Sequence, residues 1–549
     1  MTVTISPSTF AFFKAAGVFR VKSEEKARAR FDEAHDDFCE QNGDDCGAMD
    51  RDELFDALMA ENDDRKAGKI AAEVAREEKR AAREAAKANM PLTGGMKSAD
   101  EAITAYGPGR YVLFGAQNNT DVDATFWASL RVFAAQNGAT LVGGRLTYNK
   151  GGFQQPDVEA ETYYDPAIRD YLVPGTVDLG GYHFLADANV IPTTKWPTSG
   201  FDGNTPDGVG AIIPATKIEL RIGAALKGGA NKVIAATGAV TMRNYIMRKA
   251  GAIAARAHCI AAVFLDTTTT PATIRHLEQM EGDTGFYDVD GFYSPGGFRP
   301  LDDDDVAAFQ PGDIHAEKAE QVNLDNVCAL IERFRPANIF VHDVLDFASR
   351  NHHNIKDPFF LAAQYDADNT VAGDLRTVAT VLDAFCDTAT GRIHVIESNH
   401  YLAIDTWLKN TDWRTDPINS DTYLDVALAK RRGGANFNTL AYAYAAIGGG
   451  IYDDTINFHK VDESVVVAGV EMGCHGHNGA NGAKGNPKSF ANLGVPMNTG
   501  HTHSPSIYGR CYTAGVTASL EMGYNIGASS WMICHTITYA NGARQLIFA

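Results

Sequence analysis

Twelve of the sixteen histidines fall at or beyond position 315, so any imidazole chemistry is concentrated in the C-terminal part of the chain. There they recur with aspartate and asparagine at set places. "GDIH" supplies Asp313 and His315; "NIFVHDVLD" carries Asp343; "RIHVIESNH" closes on Asn399 and His400. "ESVVVAGVEMGCHGH" closes on His475 and His477, and "MNTGHTHSPS" sets His501 and His503 on either side of one threonine. Such a mixture of nitrogen and oxygen donors without thiolates suits Mn, Fe or Zn better than a soft metal. Cys474 points away from the ligands in an extended reading and counts as packing. Alternate residues of an extended segment face opposite sides. His501 and His503 can therefore share one site only at a strand end, where the backbone curls round it.

The elements that position these residues are β-branched runs. At least three of them, ending at Asp343, at Asn399 and His400, and at His475 and His477, read as strands that deliver a polar residue just past the C-terminal end. Parallel strands bring such residues together along one sheet edge. A lone histidine after a strand is most often structural; the ordered set D-x-H, D, N-H, H, G-H-x-H is the informative feature. That set resembles the calcineurin-like binuclear metallophosphoesterases, whose pattern is D-x-H, G-D, G-N-H-D/E, H, G-H-x-H, and the resemblance covers about residues 305–549. Within that superfamily the chain looks most like phage-encoded members, including pre-early DNases, through "HDVLDFASRNHH", "TDWRTDPINSDTYL", "AQNNT" and "AATGAV". Three positions depart from the pattern. His342 and Ser398 replace glycines, and Tyr401 replaces the acid that usually follows the N-H pair. No metal ligand is lost, but the orientation of His400 then needs another carboxylate, for which Asp346 is a candidate.

The resemblance implies two divalent ions, with Mn first and Fe, Zn or Mg as alternatives. One would be held by Asp313, His315 and His503, the other by Asn399, His475 and His501, with His477 as the alternative to His475. Asp343 would bridge them, and a metal-bridging hydroxide would attack phosphorus in line. His400 would stabilise the transition state or protonate the leaving oxygen. Lys484, in the Gly- and Asn-rich loop "NGANGAKGNPKS", is a candidate phosphate contact, as are Arg350 and His353, with Lys488, His352 and Arg414 behind them. Trp413 and Tyr401 could stack on a splayed base, against a plain packing role. The implied function is a phage DNase that hydrolyses DNA. Two alternatives stand beside it: a phosphoesterase for a nucleotide or other small ester, and a non-enzymatic phage regulatory protein that binds host factors.

The rest of the chain frames this region. A length of 549 residues predicts two or three domains. The divisions expected are a helical region over 1–92, an α/β accessory domain over 93–304 and an α/β catalytic domain over 305–549, a β-sandwich flanked by helices. Residues 42–53, "NGDDCGAMDRDE", resemble a calcium-binding EF-hand loop, with Asn42, Asp44, Asp50 and Glu53 at ligand positions and Gly47 at the turn. Asn at the first position and Cys46 at the fifth weaken that reading, and a helical hairpin without calcium competes with it. Residues 64–88 are rich in Ala, Lys, Arg and Glu and read as an exposed or oligomer-forming helix, followed by the linker "MPLTGGMKS". "RYVLFGAQ", "DATFWASLRVFAAQ" and "ATLVGG" form a βαβ signature.

A net charge of −20 argues against coating nucleic acid by charge alone, yet divalent metals add positive charge that this count omits. The eight cysteines form no CxxC pair, which points to a reducing compartment. No apolar run approaches the ~20 residues of a membrane span. The partners expected are DNA, further copies of the chain in a homo-oligomer, and a phage or host protein, in the cytoplasm of an infected bacterium.

Overall fold

Phenylalanines at helical spacing build the first of two units, Met1–Gly94 and Gly95–Ala549. The computed structural model describes residues 6–21, 23–42, 50–88, 103–148, 163–351, 354–451, 454–461, 463–523 and 525–549. In the first unit, Ser6 caps the helix Pro7–Ala15 by accepting the Thr9 N–H at 3.1 Å. Helices Glu24–Asn42 and Arg51–Ala88 follow. Ala27, Phe31 and Ala34 share one helix face; Leu54, Phe55 and Leu58 share another, and both close on Phe10 and Phe13. Most of the EF-hand-like loop, Asp44 included, lies outside the described residues, as does the linker. Asn42 ends one helix, Glu53 sits in the first turn of the next, and Asp50 caps that turn. Asp50 Oδ1 accepts the N–H groups of Asp52 (2.8 Å) and Glu53 (3.3 Å), so this carboxylate is engaged with the helix.

The second unit is α/β. The expected βαβ forms: strand Arg110–Gln117, helix Ala124–Asn137 and strand Thr140–Leu146, paired in parallel from Tyr111 opposite Thr140 to Gln117 opposite Leu146. The "AQNNT" residues do turn chemistry. Asn118 Oδ1 accepts the Tyr148 N–H and Asn119 Oδ1 accepts the Tyr163 N–H.

A six-stranded sheet positions the chemistry. Its order is Ile456–His459, Arg392–Ile396, Asn338–His342, Val306–Gln310, Cys534–Tyr539, Arg544–Phe548, with the first four strands parallel. Alternation splits its faces. Ile339, Val341, Ile393 and Val395 pack with residues of the helices Gln321–Phe334, Val371–Thr388 and Tyr401–Asn410. Ala308, Phe340 and Ile396 pack instead against Val470 and Met472.

The third strand expected in this parallel set does not join it. Residues 463–477 form the short antiparallel pair Val466–Val467 and Val470–Glu471, turned at Ala468 (φ 49°) and Gly469 (φ 74°), at the end of an 11-stranded sheet. Ile456–His459 takes the place beside Arg392–Ile396. The same 11-stranded sheet bridges the seam expected near residue 304, because Ser506–Tyr508 pairs with Ile218–Gly223. Among the described residues no helix is long and apolar enough to cross a membrane.

Candidate metal centre

The C-terminal edge of the parallel strands meets loops of the 11-stranded sheet. Val306–Gln310 runs out shortly before Asp313, Asn338–His342 ends directly before Asp343, and Arg392–Ile396 ends shortly before Asn399 and His400. His475 follows the hairpin at Val470–Glu471, and His501 and His503 follow Met497–Thr499. The backbone then curls: His315 (φ 43°), Asp343 (45°), His501 (72°) and His503 (55°) are all in the left-handed region, which L-residues with side chains seldom occupy. These turns let residues two apart in sequence face one centre. Gly500 is obligatory beside them, since a Cβ there would meet the Asp313 carboxylate, which accepts the His501 N–H at 2.6 Å.

Ligand atoms of Asp313, His315, Asp343 and His503 lie within 4.8 Å of one another, as do those of Asp343, His475 and His501. Asp343 belongs to both groups. His315 Nε2 is 3.7 Å and His475 Nε2 3.1 Å from Asp343 Oδ2; His503 Nε2 is 3.3 Å from Asp313 Oδ2. His315 Nε2 and His503 Nε2 approach to 3.0 Å. Asp313 Oδ1, both Asp343 oxygens, Asn399 Oδ1 and His475 Nε2 are buried and have no aligned hydrogen-bond partner among the described residues. A buried carboxylate without donors costs several kcal/mol. A cluster of them facing imidazole nitrogens fits divalent cations, and the donor set is the one that Mn, Fe or Zn accept.

The surroundings orient these groups. Asp346 Oδ1 accepts from His315 Nδ1 at 3.0 Å, which turns Nε2 inward. His400 Nδ1 donates to the Asp346 carbonyl at 3.1 Å and lies 3.5 Å from its carboxylate, so Asp346 is the residue that orients this ring. Glu317 accepts the N–H groups of Asp346 and Phe347, both at 2.9 Å, and fixes that loop. Burial raises the Asp343 carboxyl, but His475, His400 and His315 outweigh it and hold it well below the usual carboxylate range. Asp313 is lowered in the same way by His475 and His503 against burial. Burial, then His475, pushes His501 down to about 4, which keeps its ring neutral and able to ligate.

Not every sequence candidate reaches this centre. His477 belongs to neither group: its Nε2 meets Asn478 Nδ2 at 2.9 Å, and its ring centroid lies 5.5 Å from that of His475. Arg350 is 1% exposed and forms a two-pronged ion pair with Asp416 (2.7 and 2.9 Å), so it is a core residue and not a phosphate contact. Tyr401 is likewise buried; its hydroxyl accepts the Val344 N–H at 2.6 Å and pins the Asp343 turn, which rules out base stacking. Arg414 pairs with Asp412. Lys484 is exposed on the loop that folds back on His477 through the Gly485 N–H. His353 and His352 lie outside the described residues.

Two participants escape the sequence reading. His342 is fully buried with Nδ1 3.3 Å from His475 Nδ1, and Trp531 stands edge-on to His503 at 4.3 Å between centroids. In the sequence His342 reads only as a departure from the glycine of the pattern, and Trp531 carries no local signal.

Buried carboxylates and imidazoles converge at a sheet edge in a cluster that could hold metal ions. By sequence, the chain is 40% identical over 462 residues to Protein A1 of Escherichia phage T5, across 80% of this chain and 81% of that protein. It belongs to the Protein A1 family. No protein-family model matches the chain. No solved structure matches it either.

Proposed function

We propose that the chain is a metal-dependent phosphodiesterase of a phage, acting on DNA in the infected cell. The observation that carries this reading is that Asp343 belongs both to the buried group of Asp313, His315 and His503 and to the group of His475 and His501, among overlapping groups that also share Asp313 and His475. Asp313, His315 and His503 would hold one ion; His475, His501 and Asn399 would hold the other; Asp343 would serve both. The order and spacing of these residues support a metallophosphoesterase-type centre. Two bound ions would supply Lewis-acid charge and an activated water for attack on a phosphodiester.

The chain's own groups do the rest. Asp346 fixes the ligating tautomer of His315. Because His400 Nδ1–H is committed to the Asp346 carbonyl, Nε2 is the nitrogen left to hold a proton and pass it to the leaving oxygen. His342 steadies His475 through its Nδ1, leaving Nε2 for the metal. Mn is the first choice of ion on the donor set, and Lys484 is an exposed cation on the loop after His477 that could meet a phosphate backbone.

One observation favours a second reading, hydrolysis of a small phosphoester. The cleft of about 130 Å³ beside His475 and His477 is lined by Glu397, Glu463 and Glu471 and by no lysine or arginine. The test separates the two. Purified chain is incubated with supercoiled plasmid and with bis-p-nitrophenyl phosphate, with and without Mn²⁺, beside Asp343→Ala. Metal-dependent loss of plasmid that the substitution abolishes supports the DNase. Cleavage of the small diester with the plasmid intact selects the second reading. Two bound ions with neither substrate cut would leave a structural or regulatory role.

A further inference from the structure

A second cavity, of about 470 Å³, lies between the helix Lys249–Arg256, the strand Thr273–Glu278 and the turn that joins the last two strands. It shares no residue with the candidate metal centre. Its volume falls in the range of small-ligand sites, about 300–1,000 Å³. Three guanidinium groups in its lining, those of Arg256, Arg510 and Arg544, form no ion pair among the described residues. A fourth, Arg243, is 3.8 Å from Glu281. Asp123 and Glu278 are the other carboxylates of the lining, and Asp123 is committed to capping the helix Ala124–Asn137, so four arginines face three acids in a chain of net charge −20.

Arg544 is the most constrained of them. It is 7% exposed, stacks over the Tyr512 ring at 4.2 Å, and has Nη1 held by the carbonyls of Met497 and Arg510, each at 3.0 Å. Burial lowers its affinity for its own proton, against the opposing pull of Tyr512 and Glu278. Tyr512 is 1% exposed, and its hydroxyl has no hydrogen-bond partner among the described residues; the same holds for Gln279 Oε1. Buried polar atoms are satisfied in most native proteins, and these two orphans belong to residues of one cavity wall, where a polar ligand would give them partners. The cavity thus offers guanidinium and hydroxyl donors for an anion, the acceptors Gln279 Oε1 and Glu278 for amino or hydroxyl hydrogens, and an apolar wall from Ile260 and Met280.

We propose that this cavity binds a nucleoside monophosphate, with the phosphate against Arg510, Arg544 and the Tyr512 hydroxyl and the base donors toward Gln279 and Glu278. Guanidinium forks match phosphate oxygens geometrically, and a base supplies both the flat apolar face and the N–H groups that the opposite wall lacks. The site stands apart from the proposed phosphodiesterase reading. It is nevertheless tied to the metal-centre loop, because the Met497 carbonyl that Arg544 holds begins the strand leading into His501.

Titration calorimetry on the full chain tests the assignment. dAMP, deoxyadenosine, inorganic phosphate and a 5′-phosphorylated tetranucleotide are each offered to the wild type, Arg510→Ala, Tyr512→Phe and Asp343→Ala. The expected result is one dAMP site per chain, unchanged in Asp343→Ala and weakened about tenfold or more in Arg510→Ala, the size of one charge-assisted hydrogen bond. Tyr512→Phe keeps the ring packing and should weaken binding by a smaller factor with an unchanged melting temperature. Equal affinity for the tetranucleotide would make the occupant a nucleic-acid end, and its exclusion would make it a free nucleotide; both uphold the site. No saturable binding overturns the proposal. So does binding lost in Asp343→Ala but kept in Arg510→Ala, or phosphate or deoxyadenosine binding as tightly as dAMP.

Discussion

His276 and His475 are each 2% exposed, yet their nitrogens meet opposite surroundings. His276 Nε2 lies 2.8 Å from the Ala236 carbonyl, one donor on one acceptor, and burial pushes its ring down to about 4. His258 is similar, set between the Tyr245 hydroxyl and the Thr241 carbonyl and held at about 4. His475 instead faces another imidazole on one side and a carboxylate without donors on the other, and its ring is raised by Asp343 and Asp313 against burial. Burial therefore says little about a histidine. What distinguishes the two regions is whether the nitrogens are already satisfied by the protein: the first set completes a fold, while the second leaves imidazole and carboxylate atoms that could hold a metal ion.

The sharpest way to break that comparison is Asp343→Ala. Bound metal, measured by elemental analysis, should fall by at least one ion per chain, and diester hydrolysis should fall by more than about 10³-fold, since both groups lose a member. His342→Gln should weaken metal binding by about 10- to 100-fold, measured by competition with a chelator, because it removes a ring that lies against His475 and groups with Asp313 and His475. At the satisfied site, His276→Leu should lower unfolding stability by about 1–3 kcal/mol in denaturant while metal content stays unchanged. The smallest effect sharpens the same contrast through pH. His258 and His276 stay neutral in the fold to about 4 but take up protons near the ordinary value of 6.5 once unfolded. Their contribution is present above pH 6.5 and is lost as pH falls toward 4. Thermal melts across that window should show this loss equally in wild type and in Asp343→Ala. A slope that disappears with Asp343 would assign the acid sensitivity to the metal centre instead.

Much of the cluster was legible because its members are chemically distinctive and sit at strand ends, which local patterning marks. Asp313, His315, Asp343, His475, His501 and His503 come together in the fold. What failed depended on partners distant in sequence. Arg350 looked like a phosphate contact until Asp416, 66 residues away, claimed it in the core. The run before His475 looked like a buried parallel strand, but a turn at Ala468 and Gly469 sends it into another sheet. The pairing of Ser506–Tyr508 with Ile218–Gly223 had no local trace at all, since both are short β-prone runs that would suit many neighbours. His342 was read as a departure from a pattern, whereas its position against His475 makes it part of the support.

The left-handed backbone at His315, Asp343, His501 and His503 sets a trade-off between durability and chemistry. Each such residue holds roughly 1–3 kcal/mol of conformational strain that a glycine would relieve. Replacing His503 by Gly should therefore give a fold at least as robust as replacing it by Ala, although both remove the same imidazole. A lineage released from the need to hold metal would drift toward glycine at these four places and become sturdier as it fell silent, so their side chains record a requirement that folding alone would not maintain.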